Sequence, residues 1–241
     1  MRAVPGGDGM ARVRPNQNSL TQAQWSAFVG AVNATHGIGV RAPAYRDFVA
    51  LHVKAMSMGG MPWGVHFMGP GTSGRNFLAW HRRFLQQFEL RLQAADSSMR
   101  LPYWDWVNDR KIPTALNSPK LLKQWGVIRH WDATLLPTSQ QIDAVTALMD
   151  FTAFQLSLEK QHDQVHIAVG GKGGTMDTAS SPADPLFWLH HSNIDRIWWQ
   201  WQTQHLGADP PNPNEPLEEA PIMGVPVATQ LDIAKLGYSF G

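Results

Sequence analysis

The sequence predicts a mainly α protein, a helical bundle with long connecting loops and few short strands. Three observations predict this class: apolar side chains recur at helical spacing, capping residues stand where those segments begin, and alternating strand-like segments are rare. The 241 residues suit a single domain over 1–241. Glycine and proline recur near the start, so about 1–15 is expected to be a loose N-terminal segment.

Three helices are expected in the first half of the chain. Thr21 and Gln24 have the spacing of a capping box and open a first helix that ends near Val32. A second helix is expected over 44–58 and a third over 77–95, each with one apolar face. The glycine-rich stretch between these two helices reads as a loop.

The second half is expected to hold two further helices. Residues 97–140 contain several prolines and no long periodic run, so they read as loop with short pieces. A fourth helix is expected over 141–168. Asp184 and the proline after it resemble a helix start, which places a fifth helix from there to about His205. The tail after it is expected to be irregular.

Composition excludes several classes of function. Twenty basic and 19 acidic residues leave a net charge of +1, which argues against nucleic-acid and membrane-surface partners. No apolar run approaches the length of a membrane span, and no Sec-type signal is visible, which leaves a cytoplasmic location or secretion by a partner-dependent route. The absence of cysteine excludes disulfides, iron–sulfur clusters and thiol nucleophiles.

Histidine is the conspicuous residue type. With ten histidines and no cysteine, imidazole is the natural ligand for a soft or borderline metal. A single histidine on an apolar helix face is more often an ordinary core residue. Here six lie where the core of a bundle could collect them: His52, His66, His81, His162, His166 and His191.

A metal explains why so many imidazoles would be buried together. Without one, each ring would need partners for both of its nitrogens. Chain order suggests two sets of three, each leaving an open position on its ion. Imidazole ligation suits zinc, copper, iron or nickel, and copper in a paired site would favour reaction with O2.

Two segments resemble the copper signatures of the tyrosinase family. Residues 77–82 read FLAWHR and are followed by Leu85 and Glu89, as in the first signature; residues 184–195 read DPLFWLHHSNID, as in the second. The segments LPYWDW at 101–106 and LGYSF at 236–240 also resemble family landmarks. The similarity extends from about residue 13 to the end.

The resemblance implies a type-3 site with two copper ions. It assigns the first ion to His52, His66 and His81 and the second to His162, His166 and His191. The interval between His66 and His81 is longer than in the family signature, so His36 stays an alternative ligand.

Around the second copper, three neighbours are expected to support the ligands. They are His190, Phe187 and Asp195. Phe187 is expected to pack on a ligand ring. Asp195 is expected either to accept a hydrogen bond from a ligand imidazole or to form a salt bridge with Arg82 or Arg196.

The family's activity implies O2 as co-substrate and small phenols and catechols as substrates. Catechols become o-quinones, and true tyrosinases also hydroxylate monophenols. Bacterial members hold a water with a Glu and an Asn beside the first ligand of the second copper. Glu159 and Asp163 are expected in these roles, with Asp163 departing from the family's Asn.

The substrate is expected to enter over the second copper. Ile167, Gly170, Thr178 and Ser181 are expected to wall an open pocket, since the loop over 170–181 is small and polar. No covering C-terminal domain is expected after Phe240. A copper-delivery partner protein and the oligomeric state stay open.

Several alternatives remain. Within the family these are a catechol oxidase without monophenol activity and an o-aminophenol or methoxyphenol oxidase. An alternative outside the enzymes is an oxygen carrier of the haemocyanin type. The run HDQVH at 162–166 is also one methylene from a zinc-protease motif, but a protease would leave His52, His81 and His191 unexplained.

Overall fold

The computed structural model describes residues 12–37, 44–57, 64–67, 69, 74–218 and 224–241. It confirms the mainly α class. The described elements are α1 Gln22–His36, α2 Tyr45–Ser57, α3 Phe77–Gln93, α4 Pro119–Trp125, α5 Ser139–Thr146, α6 Phe151–Gly170 and α7 Leu186–Gln204, with strands β1 Arg12–Arg14 and β2 Tyr238–Phe240. Among these helices, none is both long and apolar enough to cross a bilayer.

Helix α1 begins with the expected capping box. The Thr21 hydroxyl accepts from the Gln24 backbone N–H, and the Gln24 side chain accepts from the Thr21 backbone N–H at 2.8 Å. The helix continues about one turn past the expected end, to His36, and its last turn still buries Thr35. Most of the glycine-rich loop before α3 lies outside the described residues.

The single helix expected over 141–168 is wrong. The chain forms two helices, α5 and α6, separated near Asp150. Asp150 is extended (φ −83°, ψ 128°), and its carboxylate accepts from the Ala153 N–H at 2.8 Å, so it starts a new helix. Between the two helices, the Leu148 carbonyl accepts a hydrogen bond from the Trp201 indole N–H at 2.8 Å.

The start of α7 agrees with the expected capping role of Asp184. Its carboxylate accepts from the Leu186 N–H at 2.9 Å and pairs with Arg129 at 2.6 Å. The regular helix begins at Leu186, slightly later than the Asp-Pro signal suggests, which is within the usual spread for helix ends.

The expectation of a loose segment up to about residue 15 is wrong for the part that the structure describes. Residues 1–11 lie outside that part. Strand β1 pairs in parallel with β2, with Arg12 opposite Tyr238 and Arg14 opposite Phe240. Backbone pairing with the C-terminal strand therefore orders the chain from Arg12 onward, a long-range contact that local composition does not reveal.

A buried charge cluster joins both strands to the central helices α3 and α7. Asp195 on α7 accepts from Arg14 at 2.9 Å, from Arg82 at 2.5 Å and from the Tyr238 hydroxyl at 2.6 Å. Arg14 also pairs with Glu89 at 2.8 Å. Because the paired charges are buried, removing one partner leaves the others uncompensated.

Asp195→Ala is expected to lower the free energy of unfolding by about 3–5 kcal/mol, because two buried guanidinium groups lose their shared carboxylate. Denaturant unfolding of the purified protein measures this loss. The control is Lys235→Ala, which breaks an exposed ion pair with Asp232 and should cost less than about 1 kcal/mol. Equal stability of the two variants would contradict the role given to Asp195.

Candidate metal centre

Two histidine clusters lie in the bundle core. In each cluster the candidate ligand atoms lie within 4.8 Å of one another. One cluster contains His52, His66 and His81, and the other contains His162, His166, His190 and His191. The structure thus brings together all six histidines proposed from the sequence. Four helices supply them, apart from His66, which lies in the short described segment 64–67.

Five of these rings are oriented by a hydrogen bond from Nδ1. Three donate to backbone carbonyls: His52 to Ala179 at 2.7 Å, His81 to Phe77 at 2.8 Å and His166 to Met176 at 2.6 Å. His66 donates to Glu159 at 3.1 Å, and His162 donates to Asp163 at 3.0 Å. A proton on Nδ1 leaves the Nε2 lone pair free to bind a metal.

The Nε2 atoms of these rings fit metal ligation. Those of His52, His66 and His81 are buried and have no hydrogen-bond partner within the described ranges. In the second cluster, Nε2 of His162 and Nε2 of His166 lie 3.1 and 3.3 Å from Nε2 of His191. Buried unpaired nitrogens are costly, and a shared cation satisfies them.

Burial keeps the imidazoles neutral. Loss of solvation lowers the pKa of His52 to about 3 and that of His166 to about 4. It also holds the pKa values of His81, His162 and His191 well below the ordinary value. The neutral ring is the form that binds a metal, so the site has its ligands ready near neutral pH.

The two clusters adjoin. His81 and His191 stack with ring centroids 4.2 Å apart, and His66 and His162 are separated by 5.8 Å. Phe187 packs on His191 at 4.0 Å, as expected from the sequence. Two metal ions held by these two clusters would therefore be neighbours in the buried core of the bundle.

Trp106 distinguishes between the adjacent His190 and His191. Its indole N–H donates to Nδ1 of His190 at 3.1 Å, so that nitrogen accepts and the proton of the neutral ring lies on Nε2. In this tautomer neither nitrogen of His190 is free for a metal. His190 instead stacks on His162 with centroids 5.1 Å apart, which leaves His191 as the third ligand of this cluster.

Two expectations for the surroundings are corrected. Asp195 contacts no histidine among the described residues; it forms the ion pair with Arg82 that was the other expectation. His36 lies outside both clusters, stacked on Tyr45 at 3.8 Å with Nδ1 bonded to the Val32 carbonyl. The histidine between α2 and α3 in the first cluster is therefore His66.

Glu159 lies behind His66. Its Oε1 accepts from His66 Nδ1 and from the Phe67 backbone N–H at 2.9 Å. Burial raises the pKa of this carboxyl, and the contacts to His66 and Phe67 oppose that rise. Glu159 does not line the cavity described next, so its contacts position a ligand and its loop.

A cavity of about 330 Å³ leads to histidines of both clusters. The cavity is lined, as expected, by Ile167, Thr178 and Ser181. It is also lined by Asp163 and Asp177. Gly170 is not among the lining residues, which corrects its expected place. It packs against the next turn, and a Cβ there would lie 2.5 Å from the Asp177 nitrogen.

Two adjoining histidine clusters in a mainly α bundle define a protein that can hold two neighbouring metal ions. The model of the common central domain of tyrosinase matches residues 42–134 and 118–204. The chain is 33% identical to the tyrosinase of Streptomyces antibioticus, over 80% of this chain and 84% of that protein. The chain therefore belongs to the tyrosinase family, and its cofactor is a pair of copper ions.

Solved structures share the fold. A functional unit of octopus hemocyanin matches with a TM-score of 0.74 and 25% identity, over 95% of this chain and 68% of that one. A polyphenol oxidase from Grenache grape (Vitis vinifera) matches with a TM-score of 0.74 and 19% identity, over 100% of this chain and 87% of that one. The helical bundle is thus an architecture that these proteins have in common.

His191→Ala is expected to reduce bound copper from two ions to one per chain and to abolish oxidase activity, because the second cluster loses the nitrogen on which two others converge. Metal analysis after copper loading and desalting measures the content. The control is His130→Ala, since His130 is exposed and outside both clusters. Two ions retained in His191→Ala would show that His190 can replace it.

Proposed function

We propose that this copper enzyme oxidises small catechols to o-quinones and also hydroxylates small monophenols at the ortho position. The observation that carries the proposal is the open cavity, whose wall includes His52 and His66 of one cluster and His162 and His166 of the other. A phenol hydroxyl can therefore approach both metal positions. The bound copper pair supplies the activation of O2 and accepts the electrons of the substrate.

The overall reactions balance without another reductant. Two catechols lose two electrons and two protons each, while one O2 becomes two waters. A monophenol and one O2 give one o-quinone and one water. The protein has to bind the ring, orient its hydroxyl and take up the phenolic proton.

Asp163 is placed to receive that proton. One carboxylate oxygen holds His162 Nδ1, and the side chain is 58% exposed in the cavity wall. A phenol has a pKa near 10, so its ionisation at pH 7 costs about 4 kcal/mol. Binding of the phenol oxygen to copper would offset this cost, and a carboxylate beside the ring would act as the base that accepts the proton.

The wall of the cavity suits a single ring. Thr178, Ala179 and Ser181 are small and contribute little bulk, and Ile167 offers an apolar surface that is 46% exposed. Flat contact with Ile167 would orient a substrate ring with its hydroxyl toward the histidines. We therefore assign monocyclic phenols as the substrate class.

Oxygen uptake tests the proposal directly. Copper-loaded protein receives 4-ethylcatechol and then 4-ethylphenol, and we expect O2 consumption with both. Uptake with the catechol alone would overturn the hydroxylase part of the proposal. No uptake with either, in protein that holds two copper ions, would overturn the oxidase function and favour reversible O2 binding.

Asp163→Asn is expected to reduce hydroxylation of 4-ethylphenol at least about tenfold relative to oxidation of 4-ethylcatechol, because a general base contributes about 10²–10⁴-fold. Initial rates of O2 uptake give this ratio. The control is Asp143→Asn, which neutralises an exposed carboxylate on α5 outside the cavity and should leave the ratio unchanged. An unchanged ratio in Asp163→Asn would remove this residue from the proposal.

A further inference from the structure

The cavity that admits the substrate has an acidic wall. Asp163 and Asp177 are its charged side chains, and no Lys or Arg occurs among the lining residues that the structure describes. Asp177 closes the short turn Thr175–Asp177 and is exposed, so its carboxylate is accessible from the cavity. Lys172, the basic residue nearest to it in the chain, is exposed and outside this lining.

The remaining lining side chains do not offset these charges. Apart from the two aspartates and four histidines, the wall consists of Met, Ile, Ala, Thr and Ser side chains. The charged side chains that the described wall presents to a substrate are therefore both acidic.

The position of the hydroxyl determines where a para substituent lies. The substrate hydroxyl has to reach the histidine clusters at the inner end of the cavity. The para substituent is at the opposite end of the ring, so it points back toward the exposed part of the wall. Asp177 is an exposed lining residue, and within the described ranges no hydrogen bond or ion pair joins its side chain to a histidine, so we assign it to that part.

We infer that the enzyme favours phenols and catechols with a cationic alkylammonium group para to a hydroxyl over those with a carboxylate in that position. Asp177 determines this preference. The inference rests on the proposed function. A carboxylate in the wall attracts an ammonium group and repels a carboxylate. For an exposed pair this effect corresponds to about two- to fivefold in binding. Asp163, beside His162, adds to the same preference.

The experiment uses three catechols that differ in charge: dopamine, 4-ethylcatechol and 3-(3,4-dihydroxyphenyl)propanoate. We expect kcat/KM of the copper-loaded enzyme to fall in that order, with a step of about two- to fivefold between neighbours at low salt. Added salt should compress the series, because exposed charges are screened. Equal values for the three substrates, or the reverse order, would overturn the inference.

Two variants test the role of Asp177. Asp177→Asn should reduce the ratio of kcat/KM for dopamine to that for the propanoate by about threefold, and Asp177→Lys should reduce it further. The control Asp143→Asn should preserve the ratio. A ratio preserved in both Asp177 variants would overturn the assignment to this residue.

The neutral substrate separates this inference from the proposed function. If 4-ethylcatechol is not oxidised, the proposed oxidase function fails. If it is oxidised at the same efficiency as its charged counterparts, the function stands and the charge preference is wrong.

Discussion

The structure depends on one constraint: buried imidazoles must keep their Nε2 lone pairs directed at two adjoining points. Each of five rings meets it with a hydrogen bond from Nδ1 to an oxygen, and three of those oxygens belong to the backbone. Burial lowers the pKa values of four of these rings, so their lone pairs stay available; the four are His52, His81, His162 and His166. Metal binding then satisfies nitrogens that the protein leaves without partners.

One loop links this constraint to substrate access. The carbonyls of Met176 and Ala179 orient His166 in one cluster and His52 in the other. Side chains of the same loop, including Asp177 and Thr178, line the cavity. A change in the backbone of this loop would therefore also change the orientation of the metal ligands. Substitution of an exposed side chain such as Asp177 can alter substrate specificity without moving those carbonyls.

The buried charge cluster supports the same centre through the two helices α3 and α7. Arg82 follows the ligand His81 on α3, and Asp195 is four residues after the ligand His191 on α7. Their ion pair joins the two ligand-bearing helices, and Arg14 and Tyr238 connect both strands to it. Pairing between sequence-distant strands thus contributes to the rigidity of the site.

Local patterns in the sequence were sufficient for most of the long helices and for the candidate histidines, but not for the break between α5 and α6. The capping box at Thr21, the helical spacing around His81 and the four-residue step from His162 to His166 are short-range signals. The contacts of Trp106 and Asp195 depend on tertiary packing, and backbone acceptors such as the Ala179 carbonyl have no residue signature. The break at Asp150 had a local signal, an Asp followed by a helical run, but the periodicity on both sides obscured it.

The central claim is that the two histidine clusters hold neighbouring copper ions. Electron paramagnetic resonance of protein loaded with two Cu(II) ions per chain tests it most directly. Two Cu(II) ions in adjoining clusters would couple magnetically through any ligand that they share, so the account predicts little signal from the bound copper. A spectrum that accounts for both ions as isolated centres would contradict the claim, because it would place them apart or outside the clusters.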